Sequence, residues 1–198
     1  MRTVEEWAVR LAAEVAPNEV DRAPEWAEAF VAGGEARHDL LARSRGKATR
    51  GMLVDPVILP FVLQAVSHAG PKLIGMVTLG NIGETLALAY HTLGLKEIVK
   101  GTHGESLLST AELASAPGAA AALTGTRSSD GQPPAPPPAD DRLQLIQSVI
   151  ETMTKELRAT RLSRDECDLM TFRVIKSLLD DPPSATNFVQ AVSGVPEG

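Results

Sequence analysis

The chain has 198 residues and a net charge of −6, and 43% of its residues are apolar, whereas only 4% are aromatic. This length suits one domain, or one domain with a small companion, and a core of Leu, Val, Ile and Ala favours helices. The negative charge argues against nucleic acid as the main partner, because phosphate binding requires a positive face. The single cysteine, Cys167, excludes an internal disulfide and fits a reducing compartment.

The first helix is predicted from a capping-box pattern of Thr3 and Glu6, after which apolar residues recur at helical spacing as far as Val15. A second helix begins at Pro24 and runs to a glycine pair at Gly33. Three aromatic residues of this region are interpreted as core residues: Trp7, Trp26 and Phe30. Residues 1–15 form an acidic amphipathic pattern, whereas a secretory signal has a basic segment followed by an apolar run. We therefore expect a cytoplasmic protein, and peripheral attachment to the inner membrane face is the alternative.

The sign of the charge reverses after the second helix. Residues 1–34 hold seven acids and three bases, whereas residues 35–50 hold five bases and two acids. This segment is interpreted as a solvated helix end, and contact with anionic lipid or an acidic partner is the functional alternative. The basic residues that would form such a surface are Arg43, Arg45, Lys47 and Arg50.

The apolar centre of the protein is the stretch 51–95. It predicts a helical hairpin with arms at 52–69 and 73–95, because Gly70 and Pro71 are expected to end one helix and begin the next. The residues of this hairpin that would meet a membrane or a partner are Leu73, Leu79, Ile82, Glu84, Leu86 and His91.

A rough energy sum decides between a membrane hairpin and a core hairpin. The nine Leu, Ile and Val residues of the second arm favour insertion by about 3 to 5 kcal/mol in total, and an acidic residue near the helix centre opposes it by about 2.5 to 3.5. Glu84 lies at that centre, with Asn81 and His91 nearby. Insertion is therefore close to neutral, and the sequence favours a hairpin buried in a protein core. Insertion after a trigger is the alternative.

The C-terminal third is predicted to be a separate helical unit. Residues 1–113 form the N-terminal helical domain, and residues 114–140, which are rich in Ala and Pro, form a flexible linker. Residues 141–198 contain three predicted helices, the second opened by a capping box of Ser163 and Glu166. The first of them carries an apolar stripe interpreted as an interaction surface: Leu143, Ile146, Ile150, Met153 and Leu157.

The sequence contains no familiar catalytic signature. No Walker A loop, dinucleotide fingerprint, zinc-protease motif or nucleophile elbow is present. Glu84 and His91 lie on one helix face about 10 Å apart, too far to meet, and their spacing favours a polar seam over a site. Cys167 lies among three carboxylates, which oppose thiolate formation, so it is interpreted as a packed thiol.

These patterns predict an all-α helical bundle with no cofactor, no metal and no catalytic residue. The predicted function is that of an intracellular helical adaptor or assembly component, which acts through a protein partner. The sequence is also compatible with a protein that forms a homo-oligomer. The alternative is a membrane-acting effector whose apolar hairpin 52–95 enters a bilayer after a trigger, with Glu84 opposing insertion.

Overall fold

The computed structural model describes residues 2–47, 57–79, 81–95, 139–160 and 162–194. Within these residues the chain forms eight α-helices, two 3₁₀ segments and no strand, which confirms the prediction of an all-α protein. The helices are α1 Val4–Val15, α2 Ala23–Ala32, α3 Gly34–Lys47, α4 Leu59–Val77, α5 Ile82–Thr92, α6 Ala139–Leu157, α7 Arg164–Leu179 and α8 Pro182–Ser193. The 3₁₀ segments are Pro17–Arg22 and Arg158–Thr160.

Both predicted capping boxes are present. The hydroxyl of Thr3 accepts the backbone N–H of Glu6, and the carboxylate of Glu6 accepts the backbone N–H of Thr3. Ser163 and Glu166 make the same reciprocal pair at the start of α7. Each box satisfies two N–H groups that the first turn of a helix otherwise leaves without partners.

The centre of the fold is α4, which packs along α6 on one side and α8 on another. Twelve of its residues are buried. Two polar contacts border the interface with α6: Lys72 donates to the hydroxyl of Ser148 at 2.6 Å, and Nδ1 of His68 lies 2.9 Å from a carboxylate oxygen of Glu156. The part of the predicted apolar centre that forms α4 is therefore covered by helices of the same chain.

The predicted helix break at Gly70 and Pro71 is wrong. The helix α4 continues through both residues to Val77, and the chain turns only before α5 begins at Ile82. Pro71 lacks an N–H and removes one helical hydrogen bond, which normally breaks a helix. Here apolar residues continue on both sides of the proline, and their burial against α6 and α8 outweighs that cost.

The predicted hairpin pairing is also wrong. The helix α5 packs on α6 and α7, and it does not lie along α4. Tyr90 of α5 meets the ring of Phe172 of α7 edge to face at 5.8 Å, and Glu84 accepts from Arg142 of α6 at 3.1 Å. Glu84 stands in the first turn of α5 with its side chain half exposed, and so it is not at the centre of a long apolar helix.

The first helix is joined to the last through Trp7, which is fully buried. Its ring stacks on Phe188 of α8 at 5.5 Å, and its Nε1–H donates to the hydroxyl of Ser184 at 2.9 Å. Asp181 holds the cap position of α8, and Pro182 occupies its first turn. Proline suits that position because its fixed φ matches a helix start.

Two ion pairs close the same junction from the solvent side. Arg2 pairs with Asp181 at 2.6 Å and Arg10 with Asp180 at 2.7 Å, so the turn between α7 and α8 is tied to α1. Both guanidinium groups also lie over the Trp7 ring, at 5.6 and 5.2 Å from its centre. Cations over an indole face add to the attraction that holds this contact.

One apolar core includes residues from α1, α2, α4, α5, α6, α7 and α8. The three C-terminal helices therefore share a core with the N-terminal helices. The predicted linker, residues 114–140, lies outside the described residues except for Ala139 and Asp140, which begin α6. Its flexibility and the domain boundaries placed on it remain predictions.

Candidate functional site

An open groove of about 910 Å³ lies between α2 and α3. Its first wall is contributed by Arg22, Glu25, Trp26 and Ala29, and its second by Ala36, Asp39, Leu40, Arg43 and Ser44. Val57, just before α4, completes it. We call this feature the α2–α3 groove.

Each wall of the α2–α3 groove follows helical periodicity. The lining residues of α2 and of α3 recur at helical spacing, which places each set on one face of its helix, and Arg22 lies just before α2. Trp26, Ala29, Leu40 and Val57 are half-buried, and Ala36 is exposed. The groove thus has an apolar floor with a charged rim, and Trp26, which was predicted as a core residue, is one of its lining residues.

The two walls meet at a turn that requires glycine. Gly33, between α2 and α3, has φ 69° and ψ −159°, and Gly34 has φ 51°. The first combination is essentially restricted to glycine, because a Cβ atom would clash with the backbone there. The glycine pair lets α3 begin immediately after α2 ends, so the two faces remain close together.

Arg37 fixes the position of α3. Its guanidinium lies 4.0 Å from the centre of the Phe30 ring of α2 and donates to the hydroxyl of Ser67 of α4 at 3.1 Å. Burial lowers the pKa of the Arg37 guanidinium below its ordinary value. A residue that the sequence placed in a basic surface segment therefore holds three helices together.

Among the described lining residues, the charges on the rim of the α2–α3 groove are balanced. Arg22 and Glu25 stand on the first wall, and Asp39 and Arg43 stand on the second. The pair of Asp39 and Arg43 is loose, with 3.8 Å between the charged atoms and side chains that are 53% and 80% exposed. Such an exposed pair contributes little to stability, so both groups are available to a ligand.

Glu19 anchors the chain beside the groove. Its buried carboxylate accepts the backbone N–H groups of Ile58 and Leu59 at 2.7 and 2.8 Å. It therefore caps the start of α4 from a position about 40 residues away and fixes Val57, the residue before. Burial raises the pKa of Glu19 above its ordinary value of 4.5, and the two N–H donors offset this only in part.

We expect Glu19→Gln to lower the free energy of unfolding by about 1 kcal/mol, because the amide NH₂ would face a backbone N–H. The folded protein holds the Glu19 proton at pH values where the unfolded chain has lost it, so this group's stabilising contribution falls as pH rises from 4.5 through the raised pKa. Glu19→Gln removes that dependence. Urea denaturation from pH 4.5 upwards should show the difference between the two proteins shrinking.

The control for this pH series is Glu28→Gln, an exposed residue of α2, which should change neither the stability nor its pH dependence. A stability difference that widens with rising pH across that window would instead show that the two N–H donors depress the pKa of Glu19.

The predicted basic surface is only partly described. Arg43 and Arg45 are exposed on α3, and Arg43 lines the α2–α3 groove. Lys47 ends α3, and its side chain is outside the described part of the structure, as is the whole of Arg50. The same helix carries Glu35 and Asp39, so its described surface is mixed in charge.

The predicted hairpin surface is divided between the core and the solvent. Leu73 is fully buried on α4, Leu79 and Leu86 are half-buried, and Ile82 is 37% exposed. Glu84 and His91 are both exposed on α5. Glu84 accepts hydrogen bonds from the side chains of Asn81 and Arg142. The described residues contain no group of three or more candidate metal ligands.

The predicted C-terminal stripe lies against the body of the protein. Ile146, Ile150, Met153 and Leu157 are buried in the core, where α6 packs on α4, and Leu143 is half-buried. These side chains are already occupied by contacts within the chain, so the stripe does not offer a free surface.

Cys167 is fully buried in α7. Burial raises the pKa of its thiol above the ordinary value of 9.0, and the neighbouring carboxylates of Asp168 and Glu166 raise it further. A buried thiol with a raised pKa is a poor nucleophile because little thiolate forms at neutral pH.

Comparison of the chain with protein-family models, curated proteins and solved structures finds no match. Among the described helices, none combines the length and the apolar character needed to cross a membrane.

Proposed function

We propose that the protein is a non-enzymatic interaction component that binds a protein partner in the α2–α3 groove. The observation that carries this proposal is the groove itself, whose half-buried Trp26 and Leu40 lie between charged rims. Interfaces commonly combine an aromatic anchor in a concave centre with a polar edge. A cytoplasmic location is part of the proposal and fits the free thiol of Cys167.

The placement of the candidate catalytic groups supports a binding role. Cys167 is buried in α7, whereas Glu84 and His91 are exposed on α5. Catalysis by a nucleophile and a base requires the two groups within hydrogen-bonding reach. The α2–α3 groove contains two carboxylates and two guanidinium groups but no thiol and no imidazole among its described lining residues.

The membrane alternative would require α4 to leave the core. Most of its apolar residues are buried, and the contacts with α6 and α8 would have to be broken before they could meet lipid. Each large side chain returned to water costs about 1.5 to 3 kcal/mol, so release of the whole helix would need an external source of free energy. The groove needs no such rearrangement, which is why we favour it.

Photocrosslinking tests the proposed groove. A photoreactive amino acid is placed at position 36, in the groove, and in a second sample at position 42, which is exposed on another face of α3. Both samples are irradiated in a lysate of the cells that produce the protein. We expect a discrete crosslinked partner from position 36 only. The partner is then purified for a direct binding measurement.

The binding measurement compares Ala36→Glu with Ala42→Glu. Both residues are exposed on the same helix, so the two variants have equal charge and similar stability, but only the first blocks the groove. We expect Ala36→Glu to lower the affinity for the partner about tenfold or more, which corresponds to about 1.4 kcal/mol of binding free energy. Ala42→Glu should leave the affinity for the partner unchanged. Equal effects of the two variants, or an effect of neither, would contradict groove binding.

A further inference from the structure

We infer that the occupant of the α2–α3 groove is an amphipathic α-helix of another protein that carries both acidic and basic side chains beside its apolar stripe. This inference rests on the proposed function and specifies the partner's chemistry. It depends on the shape of the walls and on the charges of the rim.

The shape of the groove favours a helix. Both walls are helical faces, and a third helix packs between two others by setting its ridges of side chains into their grooves. An extended strand would instead need a row of free backbone N–H and C=O groups to pair with. The backbone groups within α2 and α3 are hydrogen-bonded inside the helices, so they offer no such row.

The length of the second wall sets the length of the contact. From Ala36 to Ser44 the wall rises by about 12 Å, which is slightly more than two helical turns. A partner helix crossing it would present apolar residues at positions i, i+3 or i+4, and i+7. A stretch of about 8 to 12 partner residues is therefore sufficient to fill the groove.

The floor of the groove is uneven, which orients the partner. Ala29 and Ala36 lie on either side of the glycine turn, where their small side chains leave room for a larger side chain of the partner. Trp26, Leu40 and Val57 supply larger apolar surfaces elsewhere along the groove. We therefore expect a small residue on the partner to face Trp26 and a larger one to face the alanines.

The charges of the rim define the polar edges of the partner. Arg22 and Glu25 stand one turn apart on one wall, as do Asp39 and Arg43 on the other, and the four charges sum to zero. A partner with charges of only one sign would therefore meet repulsion from two of these groups. The same two carboxylates disfavour an anionic membrane surface as the occupant.

A displayed library of random peptides of about 16 residues tests the inference. It is selected on the full-length protein and depleted on Ala36→Glu, in which the groove is blocked. We expect the enriched sequences to have apolar residues at helical spacing and charges of both signs. Synthetic versions should bind Ala36→Glu at least about tenfold more weakly than Ala42→Glu, and a central proline should weaken them about as much.

Three outcomes of the selection would overturn the inference. The enriched peptides are rich in proline or alternate in polarity, they carry charges of one sign only, or none of them binds more weakly to Ala36→Glu. Self-association of the protein that is abolished by Ala36→Glu would also overturn it, because a second copy would then be the occupant. The photocrosslinking at position 36 does not depend on the partner's conformation. A groove-dependent crosslink together with non-helical peptides would remove this inference and leave the proposed function standing.

Discussion

Trp7→Ala is expected to lower the free energy of unfolding by about 3 to 5 kcal/mol, the usual range for truncating a buried tryptophan. The indole is fully buried, stacks on Phe188, and donates to Ser184, so its removal leaves a cavity between α1 and α8 and takes one of two hydrogen-bond donors from the Ser184 hydroxyl. Arg2 and Arg10 lose the aromatic face over which they lie. An effect of this size is a large fraction of the stability of a typical domain, about 5 to 15 kcal/mol.

The measurement is urea denaturation followed by circular dichroism, which does not depend on tryptophan. Trp26→Ala is the matched control, because the second tryptophan is only half-buried at the groove. Its replacement should lower the free energy of unfolding by less than half as much as Trp7→Ala. Trp7→Phe provides a variant that still folds, with an expected loss of about 1 to 2 kcal/mol from the missing hydrogen bond and the smaller ring. Equal losses for the two alanine variants would show that Trp7 does not join α1 to α8.

Gly70→Ala is expected to destabilise the protein by about 1 to 3 kcal/mol, although alanine normally favours a helix. A Cβ atom at this position would clash with the hydroxyl of Ser193 and lie 2.8 Å from the Ser193 Cβ of α8. Real atoms do not approach so closely, and the second contact involves a Cβ atom that cannot rotate away. The helices α4 and α8 would have to separate.

Gly75→Ala is the control, since it makes the same change in the same helix. Its Cβ would meet only Leu145, at an ordinary contact distance of 3.6 Å. We therefore expect the free energy of unfolding to stay the same or to rise by up to about 1 kcal/mol. A double-mutant cycle assigns the clash to Ser193. Adding Ser193→Gly to Gly70→Ala should recover most of the loss, although Ser193→Gly alone destabilises slightly. Purely additive effects would contradict the close contact of α4 and α8.

Local chemistry correctly predicted the starts of α1 and α7. Thr3 and Ser163 were identified as caps because their partner glutamates lie three residues later, and such a pattern acts within a single turn. The apolar spacing before Val15 likewise predicted which face of α1 is buried. These features depend on neighbours in sequence, so they could be read without a fold.

The error at Gly70 and Pro71 has a long-range cause. Local propensity favours a helix end there, but glycine is needed where Ser193 approaches, more than 120 residues later in the chain. The apolar stripe of α6 was correctly assigned to one helix face, yet its partner could not be identified, because an apolar stripe looks the same whether it faces a core or another protein. In the folded chain it faces α4.

The candidate site was largely missed for the same reason. Nothing near Glu19 in the sequence indicates that it caps α4, and nothing near Arg37 indicates that it reaches Phe30 and Ser67. One signal was present in the sequence. Arg22 recurs at helical spacing with Trp26 and Ala29, so this face of α2 is only partly apolar, which indicates that the core does not cover it fully.

That α4 holds the N-terminal and C-terminal helices in one cooperative core is tested most directly by following urea unfolding with two probes. Fluorescence reports on Trp7 and Trp26 near the N-terminus, and pulsed labelling with a thiol reagent reports on Cys167, buried in α7. A shared core predicts that the two transitions superimpose, with the same midpoint and the same slope. Labelling of Cys167 at a clearly different urea concentration from the fluorescence change would contradict it and restore two separate helical units.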